Sequence, residues 1–272
     1  MSESIIHPTD FSELSQNAFA HALRISVAAK GKLYIAHIAG RRAAHEWHSF
    51  PEVRQTLSRW GLLDADTSTA AIFDRLGVEV AKVEIEAHDP ASGLSRFLAY
   101  HPSELMVLAT QGRDGLPAWV QPSMAEAMSR RAQTETLFIS GECAGFVDSE
   151  SGKLELDRIL IPVDRSPPPA AAMTAIRQFC RRVGAAPEIR ILHIGTRAPV
   201  VTLASGRRAA VEVRSGNVVD GILQAAAEMR ANLIGMASAG RQGLLDAVRG
   251  RTTERVLRQA PCPVLMIPAS AQ

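Results

Sequence analysis

Along this chain, short apolar runs rich in β-branched residues alternate with longer stretches whose apolar positions recur at helical spacing. The run IIHPTDFS leads through one such stretch into GKLYIAHI. Leu14, Ala18, Ala22, Ile25 and Ala29 mark the apolar face of the helix between them, with Ser12 placed to cap its start and Gly31 its end. From residue 159 the order recurs, as ILIPVDRS leads through a second helical stretch into EIRILHI. Further on, ELMVLATQGRDG followed by TETLFIS is answered by NLIGMASAGRQG followed by CPVLMIP. Strands separated by helices predict a parallel sheet covered on both faces. The recurrence predicts that this α/β sandwich is made twice, as two tandem doubly wound parallel-sheet domains of Rossmann-like winding.

The polar, Gly-rich segment GECAGFVDSESG reads as the connection. It divides the chain into a first domain over 1–142, a linker over 143–156 and a second domain over 157–272. The copies are unequal: Asp10 to Gly112 spans 102 positions, whereas Asp164 to Gly240 spans 76. The surplus falls in HEWHSFPEVRQTLSRWGLLDADTST and is expected to form a helical insertion over about 41–70.

With 272 residues, 46% hydrophobic and 21% charged, the chain can bury a full core without disulfides or metals. Cys143, Cys180 and Cys262 are odd in number and lack CxxC spacing, which points to reduced thiols in a cytoplasmic protein and away from a cysteine zinc site. The opening MSESIIHPTDFSE has no basic segment leading into an apolar one, and no apolar run reaches membrane-spanning length, so neither export nor membrane insertion is expected. Charge is uneven. Through Gly152 there are 13 Lys and Arg against 19 Asp and Glu, and after it 17 against 9, so the second part favours an anionic partner unless its arginines form only a solvated face.

In an open parallel sheet, ligands bind beyond the carboxyl ends of the strands. Asp10 and Asp164 end the opening strand of each copy, where a carboxylate can accept hydrogen bonds from a ribose or an adenine amine, or cap the following helix. In the second copy, nine residues separate Gly240 from Gly250, and Arg251, Thr252 and Thr253 open a helix that ends before Pro261. Glycine admits an anion close to the backbone, free amides at the helix start donate to it, and the helix dipole adds about 0.3–1 kcal/mol. Arg251 and Arg241 would supply charge; the plain alternative is a Gly-containing turn before a capped helix.

Other chemistries fit poorly. Neither GxxxxGK[ST] nor GxGxxG is present. GMASAG around Ser238 has Met236 where a nucleophile elbow needs glycine, and no histidine follows His193. His45 and His48 lie three apart, unlike the HExxH of metalloproteases, and fit an exposed insertion helix. His37 and His193 occupy equivalent strand ends, where a buried, hydrogen-bonded imidazole is expected. Arg181, Arg182, Arg207 and Arg208 are not interleaved with aromatics, which total only 5%, so nucleic-acid binding is not expected.

IHPTDFS and ILIPVDRS, the strand ends AHI and LHI, and the run GRTTERVLRQAPCPVLMIP together resemble the universal stress protein family, carried twice in one polypeptide. The resemblance implies an adenine nucleotide α-hydrolase-like fold and a regulatory role in stress response. It also implies ATP binding through the first-strand aspartate, the end of the second strand and a loop of pattern G-x2-G-x9-G-[S/T]. Carried onto the second copy, that site comprises Pro162, Val163, Asp164, Ile194, Met236, Ala237, Gly240, Arg241, Gly250, Arg251 and Thr252. Asp164 and Ile194 would hold adenosine, while Gly240, Gly250, Arg251 and Thr252 would hold the phosphates, with Mg2+ as their companion.

The pattern is only partly kept. Ala237 stands at the first glycine position, at a cost of about 1–2 kcal/mol if a left-handed backbone is needed there. Arg251 takes the hydroxyl position, either replacing that contact with a charge or filling the phosphate pocket. In the first copy, Ala109, Gly112, Pro122 and Ser123 occupy the pattern, and Pro122 has no amide proton. This half is therefore expected to bind ATP weakly or not at all, with Asp10 and Ser123 kept as caps. Hydrolysis is expected to be slow or absent. The last strands, TETLFIS and CPVLMIP, would join the copies as an internal pseudo-dimer, with a homodimer of chains beyond it, unless Pro261 and Pro263 simply blunt the edge. The alternative function is a nucleotide-free scaffold that recruits a partner protein; an enzyme acting on the α-phosphate of ATP would want SGGxDS where this chain has DFSELS and DRSPPP.

Overall fold

The apolar runs pair into one ten-stranded sheet. The computed structural model describes residues 3–39, 50–64, 66–68, 71–88, 90–110, 134–140, 143, 145–203, 205–238 and 251–268. Its strands are β1 (Ser4–Thr9), β2 (Lys32–Ala39), β3 (Glu79–Glu86), β4 (Leu105–Thr110), β5 (Glu135–Ser140), β6 (Arg158–Pro162), β7 (Glu188–Ile194), β8 (Glu212–Arg214), β9 (Leu233–Ser238) and β10 (Val264–Pro268). They lie in the order β3-β2-β1-β4-β5-β10-β9-β6-β7-β8. The order of β1–β5 thus recurs, reversed in space, in β6–β10. Neighbours are parallel throughout except at the middle, where β5 and β10 run antiparallel with Leu265 opposite Leu137. Pro261 and Pro263 precede β10 and do not blunt it, since β10 is paired on both sides.

Helices α1 (Glu13–Ala29), α2 (Val53–Arg59), α3 (Ala71–Leu76), α4 (Pro90–Tyr100), α5 (Pro169–Val183), α6 (Val218–Glu228) and α7 (Arg251–Gln259) connect the strands. The core on one face holds Ala18, Leu23 and Ile25 of α1 together with Ile176 and Phe179 of α5. The other holds Leu94 of α4, Ala225 of α6 and Val256 of α7. Both cores draw residues from before and after the middle of the chain, so the two sets of five strands share their interior.

The caps follow the sequence with one correction. Ser12 accepts the N–H of Ser15 at 3.3 Å, as expected, but α1 is closed by Lys30 in the left-handed region (φ 49°), not by Gly31. Gly31 instead donates its N–H to the Ser26 carbonyl at 3.0 Å, one residue further out. At α6, Asn217 accepts from Val219 and Asp220. The apolar face expected for α1 is also too narrow: Ser15, Phe19, His21 and Ser26 are buried besides Ala18, Ala22 and Ile25. The reason is that α1 is covered on its outer side as well.

What covers it is the segment expected to be a polar connection. Cys143, Phe146, Val147 and Leu156 lie in the core, and Val147 bridges Leu154. His21 donates from Nδ1 to the Asn17 carbonyl (2.9 Å) and accepts at Nε2 the N–H groups of Phe146 (3.0 Å) and Val147 (3.1 Å). Trp60, just after α2, donates from its indole to the Ser149 carbonyl at 3.0 Å. The glycines of this segment are there for closeness: a Cβ at Gly145 would stand 2.2 Å from the His21 ring, and one at Gly152 would stand 2.4 Å from Trp60. Both also have positive φ, 82° and 67°. The insertion expected over about 41–70 thus contributes α2 within its described residues, whereas His45 and His48 lie outside them.

One ion cluster ties the sequence halves directly. Arg182 of α5, with its side chain only 7% exposed, donates to Glu3 at 2.7 Å and to Glu135 at 3.3 Å. Burial pushes the Glu135 carboxyl up, and the Arg182 guanidinium opposes that shift. In contrast, the hydroxyl of Thr136, fully buried on β5, has no hydrogen-bond partner among the described residues.

Two outcomes follow from these buried groups. Arg182→Met, which strands the Glu135 carboxylate in the core, is expected to cost about 3–5 kcal/mol, read as a lower urea midpoint at unchanged slope. Burial lowers His7 and His21 from 6.5 to about 4. The unfolded chain therefore takes up protons that the folded one refuses, so stability should be full above pH 6.5 and fall as the pH drops from there towards 4. Urea titrations at points across this window check it; His21→Gln should flatten the dependence.

Candidate functional site

A doubly wound sheet has a switch point where consecutive connections leave in opposite directions, and the strands on either side of it part. Among β6–β10 it falls between β6 and β9. Their ladder stops at Leu160↔Ile234, while β6 stays paired to β7 through Pro162↔Leu192 and β9 to β10 through Ser238↔Pro268. The crevice above the gap is flanked by Pro162, Val163 and Asp164 on one side and by Met236 and Ala237 on the other, with Ile194 ending β7 next door. Val163 and Met236 are each 8% exposed, Val163 packed into the core on the α5 face and Met236 into the core on the α6 and α7 face. Arg251 and Thr252 stand in the first turn of α7. Gly240, Arg241 and Gly250 lie outside the described residues, as do Gly112, Pro122 and Ser123 of the other half.

Asp164 is a carboxylate with little structural work. Its side chain is 70% exposed. Among the described residues it accepts one hydrogen bond, from the N–H of Arg165 at 2.7 Å, and none from the first turn of α5, where Pro168 holds the cap position. His193 points its Nδ1 at the Val163 carbonyl (3.0 Å) and stands 3.9 Å from Asp164 Oδ1. Because a carbonyl only accepts, this fixes the proton on Nδ1. Arg165 and Arg197 are exposed beside the crevice.

The equivalent place in the first half is built from the same parts, with its gap bridged by a side chain. The β1–β4 ladder also stops after two pairs, at Ile6↔Met106. There His7, fully buried, donates from Nδ1 to the Val107 carbonyl at 3.0 Å and so bridges the gap. The Ser15 hydroxyl lies 3.3 Å from His7 Nε2 and 2.9 Å from Thr9 Oγ1. Asp10 is engaged twice by Ser12, through the backbone N–H (3.0 Å) and the hydroxyl (2.6 Å), which places it in the turn that starts α1. Ala109 sits at the end of β4, half-buried.

His37 repeats the bond of His193, donating to the Thr9 carbonyl at 3.0 Å. Here, however, the ring of Phe11 lies flat on the imidazole, with centroids 4.1 Å apart and planes at 24°. Phe50, 2% exposed and contributed by the insertion, meets Phe11 edge-on at 5.2 Å. Phe11 adopts φ 63°, sparsely populated for a side chain of this size, and its N–H is held by Thr9 Oγ1 at 3.1 Å. The position aligned with Phe11 in the other half is the exposed Arg165. Sequence reasoning missed this stack. Its only trace was Phe beside Asp10 where Arg stands beside Asp164, since Phe50 reaches the site through an insertion whose path the pattern does not reveal.

A cleft of about 460 Å³ also opens on the flank of the first half, between α1, α2 and the 149–150 turn. Thr9, Phe11 and Phe50 line it together with Gln16, Asn17 and Glu52, so it abuts the stack, and none of the residues expected to bind a nucleotide lines it.

The sequence model of the universal stress protein family matches residues 1–140 and 201–268. No curated protein matches the chain. Among solved structures, a universal stress protein from Archaeoglobus fulgidus DSM 4304 aligns over 99% of this chain and 97% of its own, at 18% identity and a TM-score of 0.61. A functionally unknown protein from Pseudomonas aeruginosa PAO1 aligns over 98% and 92%, at 14% identity and a TM-score of 0.54. At such identities the likeness concerns the fold.

The two aspartates should separate in a stability measurement. Asp10→Ala removes both bonds to the capping Ser12 and is expected to cost about 1 kcal/mol. Asp164→Ala should stay within about 0.5 kcal/mol of the parent in urea unfolding.

Proposed function

The chain belongs to the universal stress protein family, and on that premise we propose that it is a tandem of two such domains that binds one adenine nucleotide per chain, in the second half, as a regulatory ligand. The observation that carries this reading is the asymmetry of the two crevices. Both aspartates are exposed, but among the described residues Asp164 accepts only the N–H of Arg165, whereas Asp10 is engaged by Ser12 beside a place already taken by the Phe11, His37 and Phe50 rings.

In this reading, the Asp164 carboxylate accepts from the ribose, and Ile194, Val163 and Met236 offer apolar surface to the adenine. The amides at the start of α7 and the residues Gly240, Gly250, Arg251 and Thr252 receive the phosphates. ATP with Mg2+ is the expected ligand, and its proposed role is to be held. The proposed boundaries are 1–142 and 157–272, with 143–156 between them. A second reading, a nucleotide-free scaffold in a homodimer or with a partner protein, draws on Ala237, Pro122 and Arg251, which depart from the phosphate-loop pattern.

Calorimetry with Mg·ATP tests the choice. The proposal expects one site per chain, weakened about tenfold or more by Asp164→Ala and abolished by Gly250→Asp, with Asp10→Ala leaving affinity unchanged. Two equal sites, or equal affinity in parent and Gly250→Asp, would contradict it. Absence of binding together with nucleotide-free purified protein would favour the scaffold.

A further inference from the structure

The two outer strands of the sheet differ in what they offer to another chain. The edges that close the sheet are β3 and β8, since β5 and β10 pair with each other. β8 lies parallel to β7 in the register Leu192↔Glu212, His193↔Val213, Ile194↔Arg214. The N–H of Gly195 donates to the Arg214 carbonyl at 2.8 Å, so the backbone polar groups of Arg214 face β7. Successive residues of a strand direct these groups to opposite sides. The N–H and C=O of Val213 therefore face the open edge, in the middle of the strand.

We infer that this edge joins two copies of the chain, with β8 antiparallel to β8 of the second copy about a twofold axis at Val213. An antiparallel hydrogen-bonded pair exchanges both N–H···O bonds between two facing residues, and Val213 facing its own counterpart satisfies that arrangement without any other partner. The same register sets Glu212 opposite Arg214 of the second copy, and Arg214 opposite its Glu212. Both crossings bring opposite charges together on one face of the strands. These side chains already form the end of an alternating array, with Arg214 bonded to Glu212 and Glu228 at 2.6 Å each and Arg190 at 3.8 Å from Glu212. The second copy would extend that array across the axis.

Val213 in the middle of the edge strand is 47% exposed and Ile189 of the neighbouring β7 39%, although apolar exposure also occurs in the first half, at Phe73 (58%) and Tyr100 (80%). β3 carries Lys82 in mid-strand, the kind of charge that keeps an edge unpaired. A strand of mixed charge from another protein could meet β8, but only a second copy supplies both crossings from the residues already there. This inference is independent of the nucleotide reading.

Sedimentation equilibrium of the full chain tests it. The parent is expected to reach twice its mass of 29.3 kDa at high micromolar concentration. Val213→Lys should weaken the dimer about tenfold or more, with an unchanged melting temperature at dilutions where both chains are monomeric. Arg214→Glu should weaken it as well, and mixing that chain with a Glu212→Arg chain should restore association as a heterodimer, a rescue that the Arg214–Glu212 bond within one chain cannot produce. A parent that remains monomeric throughout, a Val213→Lys chain that dimerises like the parent, or a mixture of the two single variants that does not associate would overturn the inference.

Discussion

The structure depends on a gap that the winding of the chain makes unavoidable. Where a parallel sheet is entered in its middle and built outward in both directions, the two strands at the point of entry diverge beyond a short common ladder. β1 and β4 part after Ile6↔Met106, and β6 and β9 after Leu160↔Ile234. Each gap exposes strand ends that have to be bridged, packed or left for a guest. In the first half they are bridged by His7 and packed by Phe11 and Phe50. In the second, Ile161 and Val163 take the places of His7 and Thr9, and no described ring lies on His193 as Phe11 lies on His37.

The antiparallel joint between β5 and β10 sets how these gaps are arranged. Because every other pairing is parallel, the carboxyl ends of β1–β5 and of β6–β10 point opposite ways, and the crevices open at opposite ends of the sheet. The same reversal brings the end of β5 to the side on which β6 begins, so the segment between them need not run the length of the sheet. It is free to fold onto α1 through His21 and onto Trp60 beyond α2. With Arg182 spanning from α5 to Glu3 and Glu135, the joint, the covering segment and the ion cluster hold the halves as one sheet with shared cores.

Much of the architecture was legible because it is written in period and recurrence. The paired runs ending at Asp10 and Asp164 placed the strands, and Ser12 placed the start of α1. The equivalence of His37 and His193 was also visible, and both make the same bond to a carbonyl. The polarity of GECAGFVDSESG misled, because glycine there serves close packing against His21 and Trp60, and spacing along a chain does not distinguish that from a flexible turn. Gly31 misled for a related reason: Lys30 takes the left-handed position one residue earlier. The stack over His37 depends on Phe50 meeting Phe11 across a long insertion, a contact that no local pattern encodes.

The two histidines provide the most direct measurement, since each reports on one crevice through the same bond. The imidazole resonances of His37 and His193 can be followed by NMR while Mg·ATP is added to the full chain. The account predicts that His193 shifts and saturates while His37, covered by Phe11, stays in place. A shift of His37 that equals or precedes that of His193, or no shift of either under binding seen by calorimetry, would contradict it.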